Sequence, residues 1–274
     1  MTNETPQFFP NRESQRLFSV LHRVPSADLA LVMCAPLFDE KLWSHRVLVN
    51  FARFVAARGV PVLRFDYFGD GESDGRFEDA SVSTRVRDIQ DAVEFCRRET
   101  GASRVILVGL GYGATLALRA TLGQPLPGVV GVVAWSPVMD GRRYINDILR
   151  AHLSAQMLIH RKVIHDREAL MGQILADQSV NIEGYEISRP LFTEMVDVDI
   201  VDLLRKATVP VLIQQIGPVD RLDSQYQDLA QLTGSVQFEI IQELKFWTQQ
   251  KKIFPACETL FERTAQWVDG RQAA

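Results

Sequence analysis

A chain of 274 residues, 46% apolar and 23% charged with a formal net charge of −4, has the size and composition of one large globular domain or one domain carrying an insertion. The slight acidity gives no reason to expect a nucleic-acid or membrane-surface partner, and no apolar run approaches the roughly 20 residues that cross a bilayer. The opening MTNETPQFFPNRESQ has neither the basic nor the apolar region of a signal peptide, and Cys34, Cys96 and Cys257 are odd in number and lack C-x-x-C spacing. Together these features predict a cytoplasmic chain whose cysteines pack as small hydrophobes under reducing conditions.

The predicted elements alternate. RLFSVLHRV (16–24) reads as an antiparallel strand, and LALVMCAP (29–36) is the continuous apolar run of a strand buried on both faces. SHRVLVNFARFVAARG (44–59) has helical spacing and ends on a glycine suited to the C′ position. VPVLRFDYFG is the next strand, and SVSTRVRDIQDAVEFCRRETG the next helix, with a Ser/Thr-rich start and Gly101 at its end. RVILVGL, a helix after Gly113, and GVVGVVAWSPV follow. From 140 to 206 the alternation stops in favour of helical patterns around an irregular stretch, QSVNIEGYEISRPLFTEM. It resumes with the strand VPVLIQQIG, a helix over DSQYQDLAQLTG, the strand SVQFEIIQEL and a last helix over ACETLFERTAQWVDG. Such alternation implies a mainly parallel sheet with helices on both faces and a site at the carboxyl ends of the strands.

The turn Gly109-Leu110-Gly111-Tyr112-Gly113 joins a buried strand to a helix. Gly109, Gly111 and Ala114 match a dinucleotide-binding G-x-G-x-x-A turn, whose glycines let backbone N–H groups approach a pyrophosphate. A nucleotide-binding protein is therefore one reading, but the acidic residue expected to hold the ribose is missing, and the next strand ends in Trp135-Ser136-Pro137. A second reading is purely structural: Gly113 lets helix and strand pack tightly, and Gly111 relieves strain that a side chain would suffer.

A third reading, compatible with the second, comes from further motifs. RFDYFGDGESDG, CAPLFDE and AWSPVMDGRRYINDILR (64–75, 34–40 and 134–150) resemble the α/β-hydrolase superfamily, in particular serine aminopeptidase-like members and the bacterial hydrolases found beside exosortase and polysaccharide systems. The resemblance covers about residues 15 to 270. It implies an α/β-hydrolase fold, with a mainly parallel central sheet flanked by helices in 1–139 and 207–274. A helical cap insertion would occupy 140–206, between the sixth and seventh strands in that fold's numbering.

Carried over to this chain, the nucleophile position is Gly111 and the acid position is Asp220, with Asp223 as the weaker substitute. The histidine belongs where Lys245, Phe246 and Trp247 stand, with Phe246 at the approximate position; no histidine follows His165. Losing both the attacking oxygen and its base points to natural degeneration of the triad. Backbone N–H groups at Leu37, Phe38 and Tyr112 would still form an oxyanion-type site. Phe38, Tyr112, Trp135, Ser136, Met139 and Trp247 would line a pocket for an acyl or ester-like ligand.

Other candidates are weaker. The loop 70–75 lacks a calcium loop's closing glutamate, since Ser81 stands there, and His152, His160 and His165 lack helical metal-ligand spacing. No metal or cofactor is expected. The function implied is a hydrolase-like protein that binds an acyl or ester-like ligand or a protein partner. The alternative is a weak esterase, thioesterase or acyltransferase using water or a cap histidine.

Overall fold

The computed structural model describes residues 3–25, 27–123, 125–232, 234–248 and 255–272. The chain opens with a hairpin of β1 (Asn3–Pro10) and β2 (Arg16–Arg23), in which Phe8 faces Phe18 across an antiparallel register. The predicted elements begin at Arg16 and do not include β1, which contains Pro6 and Pro10. An edge strand tolerates both, and β1 is at the sheet's edge. Buried Asn11 forms the turn, its side-chain amide oxygen accepting the N–H groups of Glu13 and Gln15.

The predicted alternation then follows. Strand β3 (Leu29–Cys34), buried at every position, leads to α1 (Asp39–Ala57), which starts five residues earlier than the apolar spacing implied. Strand β4 (Val62–Phe65) leads through a turn-rich loop to α2 (Val82–Thr100), where the Ser81 side chain accepts the Thr84 N–H and Gly101 ends the helix in the left-handed region. Strand β5 (Arg104–Leu110) runs into α3 (Tyr112–Leu122), and β6 (Val129–Trp135) follows.

Between β6 and the next sheet strand lie α4 (Gly141–His160), capped by Asp140, and α5 (Arg167–Leu175), capped by Asp166. The irregular stretch is a small hairpin, β7 (Val180–Ile182) and β8 (Tyr185–Ile187), turned by Glu183 and Gly184, both with positive φ. Helices α6 (Arg189–Val196) and α7 (Val201–Arg205) complete the segment. Strands β9 (Val211–Gly217) and β10 (Val236–Gln242) and helix α8 (Glu258–Gln272) close the fold. The helix expected over 223–234 is instead two single 3-10 turns, Ser224–Tyr226 and Leu229–Gln231. The buried Tyr226 and Leu229 are three residues apart, matching the 3-10 period.

The eight-stranded sheet has the order β1-β2-β4-β3-β5-β6-β9-β10, antiparallel only through β1 and β2. One face packs on α1 and α8 through Phe51, Val55, Trp135, Phe261 and Trp267; the other packs on α2, α3 and the segment after β6. This arrangement brings the carboxyl ends of β3, β5, β6 and β9 side by side.

Packing is tight at Gly113, where an added Cβ would collide with the backbone carbonyls of Cys34 and Ala35. Gly172, in α5, has nothing within 4 Å of the same position. Gly113→Ala is expected to destabilise by about 1–3 kcal/mol or more, whereas Gly172→Ala should stabilise by about 0.5–1 kcal/mol. Urea unfolding of the two variants beside the parent chain measures both.

Candidate functional site

Three residues with positive φ mark the ends of adjacent strands: Phe38 (56°) after β3, Gly111 (55°) after β5 and Ser136 (43°) after β6. Gly111 has φ 55° and ψ −124° between the last residue of β5 and the first of α3. Its N–H donates to the Trp135 carbonyl at 2.9 Å, and its own carbonyl accepts the N–H groups of Thr115 and Val138. The Thr115 hydroxyl donates in turn to the Val138 carbonyl at 2.8 Å. The strand-to-helix turn is therefore tied to β6, and the first N–H groups of α3, lacking intrahelical acceptors, face out from it.

The space above Gly111 holds a carboxyl group. A Cβ built on Gly111 would lie 2.8 Å from Glu40 Oε2 and 3.6 Å from Pro36 Cβ. Glu40 is in the first turn of α1, immediately after the 34–38 loop. Tyr144 of α4 donates its hydroxyl to Glu40 Oε2 at 3.2 Å, and its ring stacks on Tyr112 with centroids 5.4 Å apart. No cation pairs with Glu40 among the described residues, while its neighbour Lys41 is held by Asp66 at 2.7 Å and Asp70 at 3.0 Å. Burial pushes the Glu40 carboxyl up from 4.5 to about 7, with the Tyr144 hydroxyl acting in the opposite sense. Burial likewise raises Tyr144 and Tyr112, which keeps both phenols neutral.

A cavity of about 560 Å³ opens over Glu40 and Gly111. It is lined by Ser136, Tyr144 and Asp147, by Arg221, Asp223 and Gln225 from the loop after β9, and by Lys245 and Trp247 after β10. The Ser136 hydroxyl accepts the Ile216 N–H at 2.9 Å.

Several expected site residues lie elsewhere. Asp220 is exposed and outside the cavity wall, since a tight turn in which the Arg221 N–H donates to the Val219 carbonyl at 2.9 Å puts it at a loop apex. Asp223 does line the cavity, and its carboxylate accepts the Gln225 N–H at 3.2 Å. Phe246 is buried against Trp135 and Trp247, while its neighbours Lys245 and Trp247 reach the cavity. Trp135 points to the opposite face of the sheet, packing on Phe51 at 4.7 Å and donating to the Thr264 hydroxyl at 3.1 Å. Strand alternation sends Trp135 one way and Ser136 the other.

Met139 and Leu37 are core residues, and the Tyr112 ring is buried under Tyr144. Phe38 packs with Phe77 and Tyr185, so none of these side chains walls the cavity. No histidine lines it either: His152 pairs with Glu183 at 2.7 Å, His160 and His165 are exposed, and His22 is buried beside Arg64. His45 faces a separate cavity of about 250 Å³ with Lys41, Arg64 and Asp66. Among the described residues no group of His, Cys, Asp and Glu is arranged to hold a metal ion, and no helix is long and apolar enough to cross a membrane.

Glu40 is the residue that sequence reasoning missed. Its signal was an acid three residues past Leu37 in CAPLFDE, on a chain with no histidine available to the same centre.

The raised carboxyl has a consequence for stability. Below pH 4.5 both folded and unfolded chains keep the Glu40 proton; between 4.5 and about 7 the unfolded chain releases it first, so rising pH favours unfolding. Glu40→Gln removes that penalty. Its stability relative to the parent chain should increase by about 2–3 kcal/mol between about pH 5 and pH 8, read from urea unfolding at the two values. A constant difference would show that Glu40 titrates normally.

Comparison with known proteins agrees with this architecture. The sequence model described as "Alpha/beta hydrolase family" matches residues 37–249. No curated protein matches the chain. Among solved structures, Est1E from Butyrivibrio proteoclasticus with bound ferulic acid superposes with a TM-score of 0.69 at 17% identity, covering 98% of this chain and 100% of that one. The α/β hydrolase GrgF from Penicillium sp. sh18 gives 0.68 at 16%, covering 99% and 100%, and the proline iminopeptidase of Mycobacterium smegmatis gives 0.66 at 16%, covering 98% and 99%. At these identities the structures speak to the fold alone, and with the family match they establish that the chain belongs to the α/β-hydrolase family.

Proposed function

We propose that this protein is an α/β-hydrolase-fold member that does not form a serine acyl-enzyme, and that its cavity receives a small polar ester or carboxyl-bearing ligand. The observation that carries this reading is the Glu40 carboxyl standing where a nucleophile's side chain would project from Gly111. The loop after β10 supports it by presenting Lys245 and Trp247, instead of an imidazole, to the same cavity. Without a base, a serine hydroxyl is a weak nucleophile at neutral pH, and Ser136, which lines the same cavity as Gly111, accepts a backbone N–H.

The walls argue for a ligand more polar than a fatty acyl chain. Of the apolar wall residues expected from sequence Trp247 is present, while Gln215, Arg221, Asp223 and Gln225 line the cavity and Phe38, Tyr112, Trp135 and Met139 do not. Residues 140–206 act as the cap in this proposal, because Tyr144 and Asp147 of α4 close the cavity over the sheet edge. The buried, unpaired cysteines suit the expected reducing cytoplasm. The first N–H groups of α3 would hold the ligand's carbonyl or carboxyl oxygen.

Fluorophosphonate labelling tests the reading. The parent chain should stay unmodified, and Gly111→Ser alone should stay unmodified too, since the added side chain would crowd Glu40 Oε2, 2.8 Å from its Cβ, and would find no imidazole beside it. Adding Lys245→His, at the position that faces the cavity where Phe246 does not, should raise labelling above either single variant. Stoichiometric labelling of the parent chain at any serine would overturn the proposal.

A further inference from the structure

We infer that Glu40 is the acid–base group of a water-dependent ester cleavage at this site, taking the part that a serine–histidine pair plays elsewhere in the fold. The inference rests on the reading that no serine is the nucleophile, and adds to it an activity and a residue.

Geometry carries it. Any group resting on the Gly111 turn meets Glu40 Oε2, because even a Cβ there would be only 2.8 Å away. Tyr144 donates to that oxygen and holds the carboxyl in place. Glu40 also lines the open cavity, so water and ligand reach it. Tyr112 and Gly113 open α3 directly after Gly111, and N–H groups at a helix start, which lack intrahelical acceptors, can stabilise a developing oxyanion.

The reaction consumes one water. The Glu40 carboxylate takes a proton from water as the water oxygen bonds to the ester carbonyl carbon, and the carbonyl electron pair moves onto oxygen beside the N–H groups. The tetrahedral intermediate then collapses: the carbonyl reforms, the bond to the leaving oxygen breaks, and Glu40 returns the proton to that oxygen. The products are an acid and an alcohol, with nothing oxidised or reduced. A positioned general base of this kind contributes typically about 10²–10⁴-fold.

The surroundings suit proton transfer near neutrality. Sharing the cavity with Glu40 are Tyr144 and Asp147 from α4, Arg221, Asp223 and Tyr226 from the loop after β9, and Lys245 after β10. Lys41, next in sequence, is engaged by Asp66 and Asp70. Burial brings Glu40 to about 7, so the base form accumulates as pH rises through that value.

The test is p-nitrophenyl acetate turnover by the full chain between about pH 5.5 and 8.5, with fluorophosphonate present and absent. Saturable turnover is expected, insensitive to fluorophosphonate, with kcat/KM rising through a midpoint near 7. Glu40→Gln should lower kcat by about 10²-fold or more. Tyr144→Phe, which removes a hydrogen bond that lowers the carboxyl's pKa, should move the midpoint to higher pH. Absence of saturable turnover in the parent chain overturns the inference, as does a folded Glu40→Gln variant within twofold of the parent. If Glu40→Gln does not fold, a pH profile that is flat or unmoved by Tyr144→Phe overturns it instead. Turnover abolished by fluorophosphonate would overturn the serine-free reading itself.

Discussion

The structure depends on the close approach of α3 to the backbone around it. At Gly109 an added Cβ would meet the backbone of Ala114, and at Gly113 it would meet the carbonyls of the β3–α1 loop. The chain therefore passes from strand to helix at backbone-to-backbone distance, which only glycine permits. That contact fixes where the 34–38 loop runs, and with it the first turn of α1. Glu40 reaches the space over Gly111 because α3 is pressed against the loop from which α1 starts.

Two neighbours on that first turn have opposite electrostatic fates. Lys41 points toward β4 and its loop, where two aspartates hold it. Glu40 points to the other side and, among the described residues, is hydrogen-bonded by the neutral hydroxyl of Tyr144 and paired with no cation. A buried carboxyl without a cation is costly to ionise, and the fold accommodates it by holding the proton toward neutral pH. The R-x-D-x-x-G-x-G-x-S-x-G stretch acts on the Lys41 side as a brace: Asp66 binds Lys41 and the Glu72 N–H, while the Ser73 hydroxyl donates to the Asp66 carbonyl and accepts the Phe18 N–H.

The sheet was legible in the sequence because its strands are buried on both faces and read as unbroken apolar runs. The glycine turn was legible for the same reason its contacts are close: no other residue fits. What escaped depended on distant parts of the chain or on parity. Two prolines break the strand pattern in β1, and the β7–β8 hairpin shows in sequence only as a Glu-Gly pair between two three-residue strands with polar centres. Trp135 and Phe246 lie beside site residues in sequence, yet each faces the core, and the alternation at a strand's end or in a loop decides which neighbour turns inward. Glu40 escaped because its surroundings are assembled from α1, α3 and α4, and no spacing along the chain encodes that meeting.

The hairpin at the start of the chain also bears on how copies of the protein meet. Pro6 and Pro10 lie four residues apart on the same side of β1, and each removes a donor from the ladder that an incoming strand would need. Arg12 pairs with Asp91 at 2.8 Å, tying the turn after β1 to α2 and holding this margin flat against the body of the protein. The β1 edge is thereby poorly suited to β-sheet extension between molecules, which protects a largely parallel sheet from open-ended growth at that end.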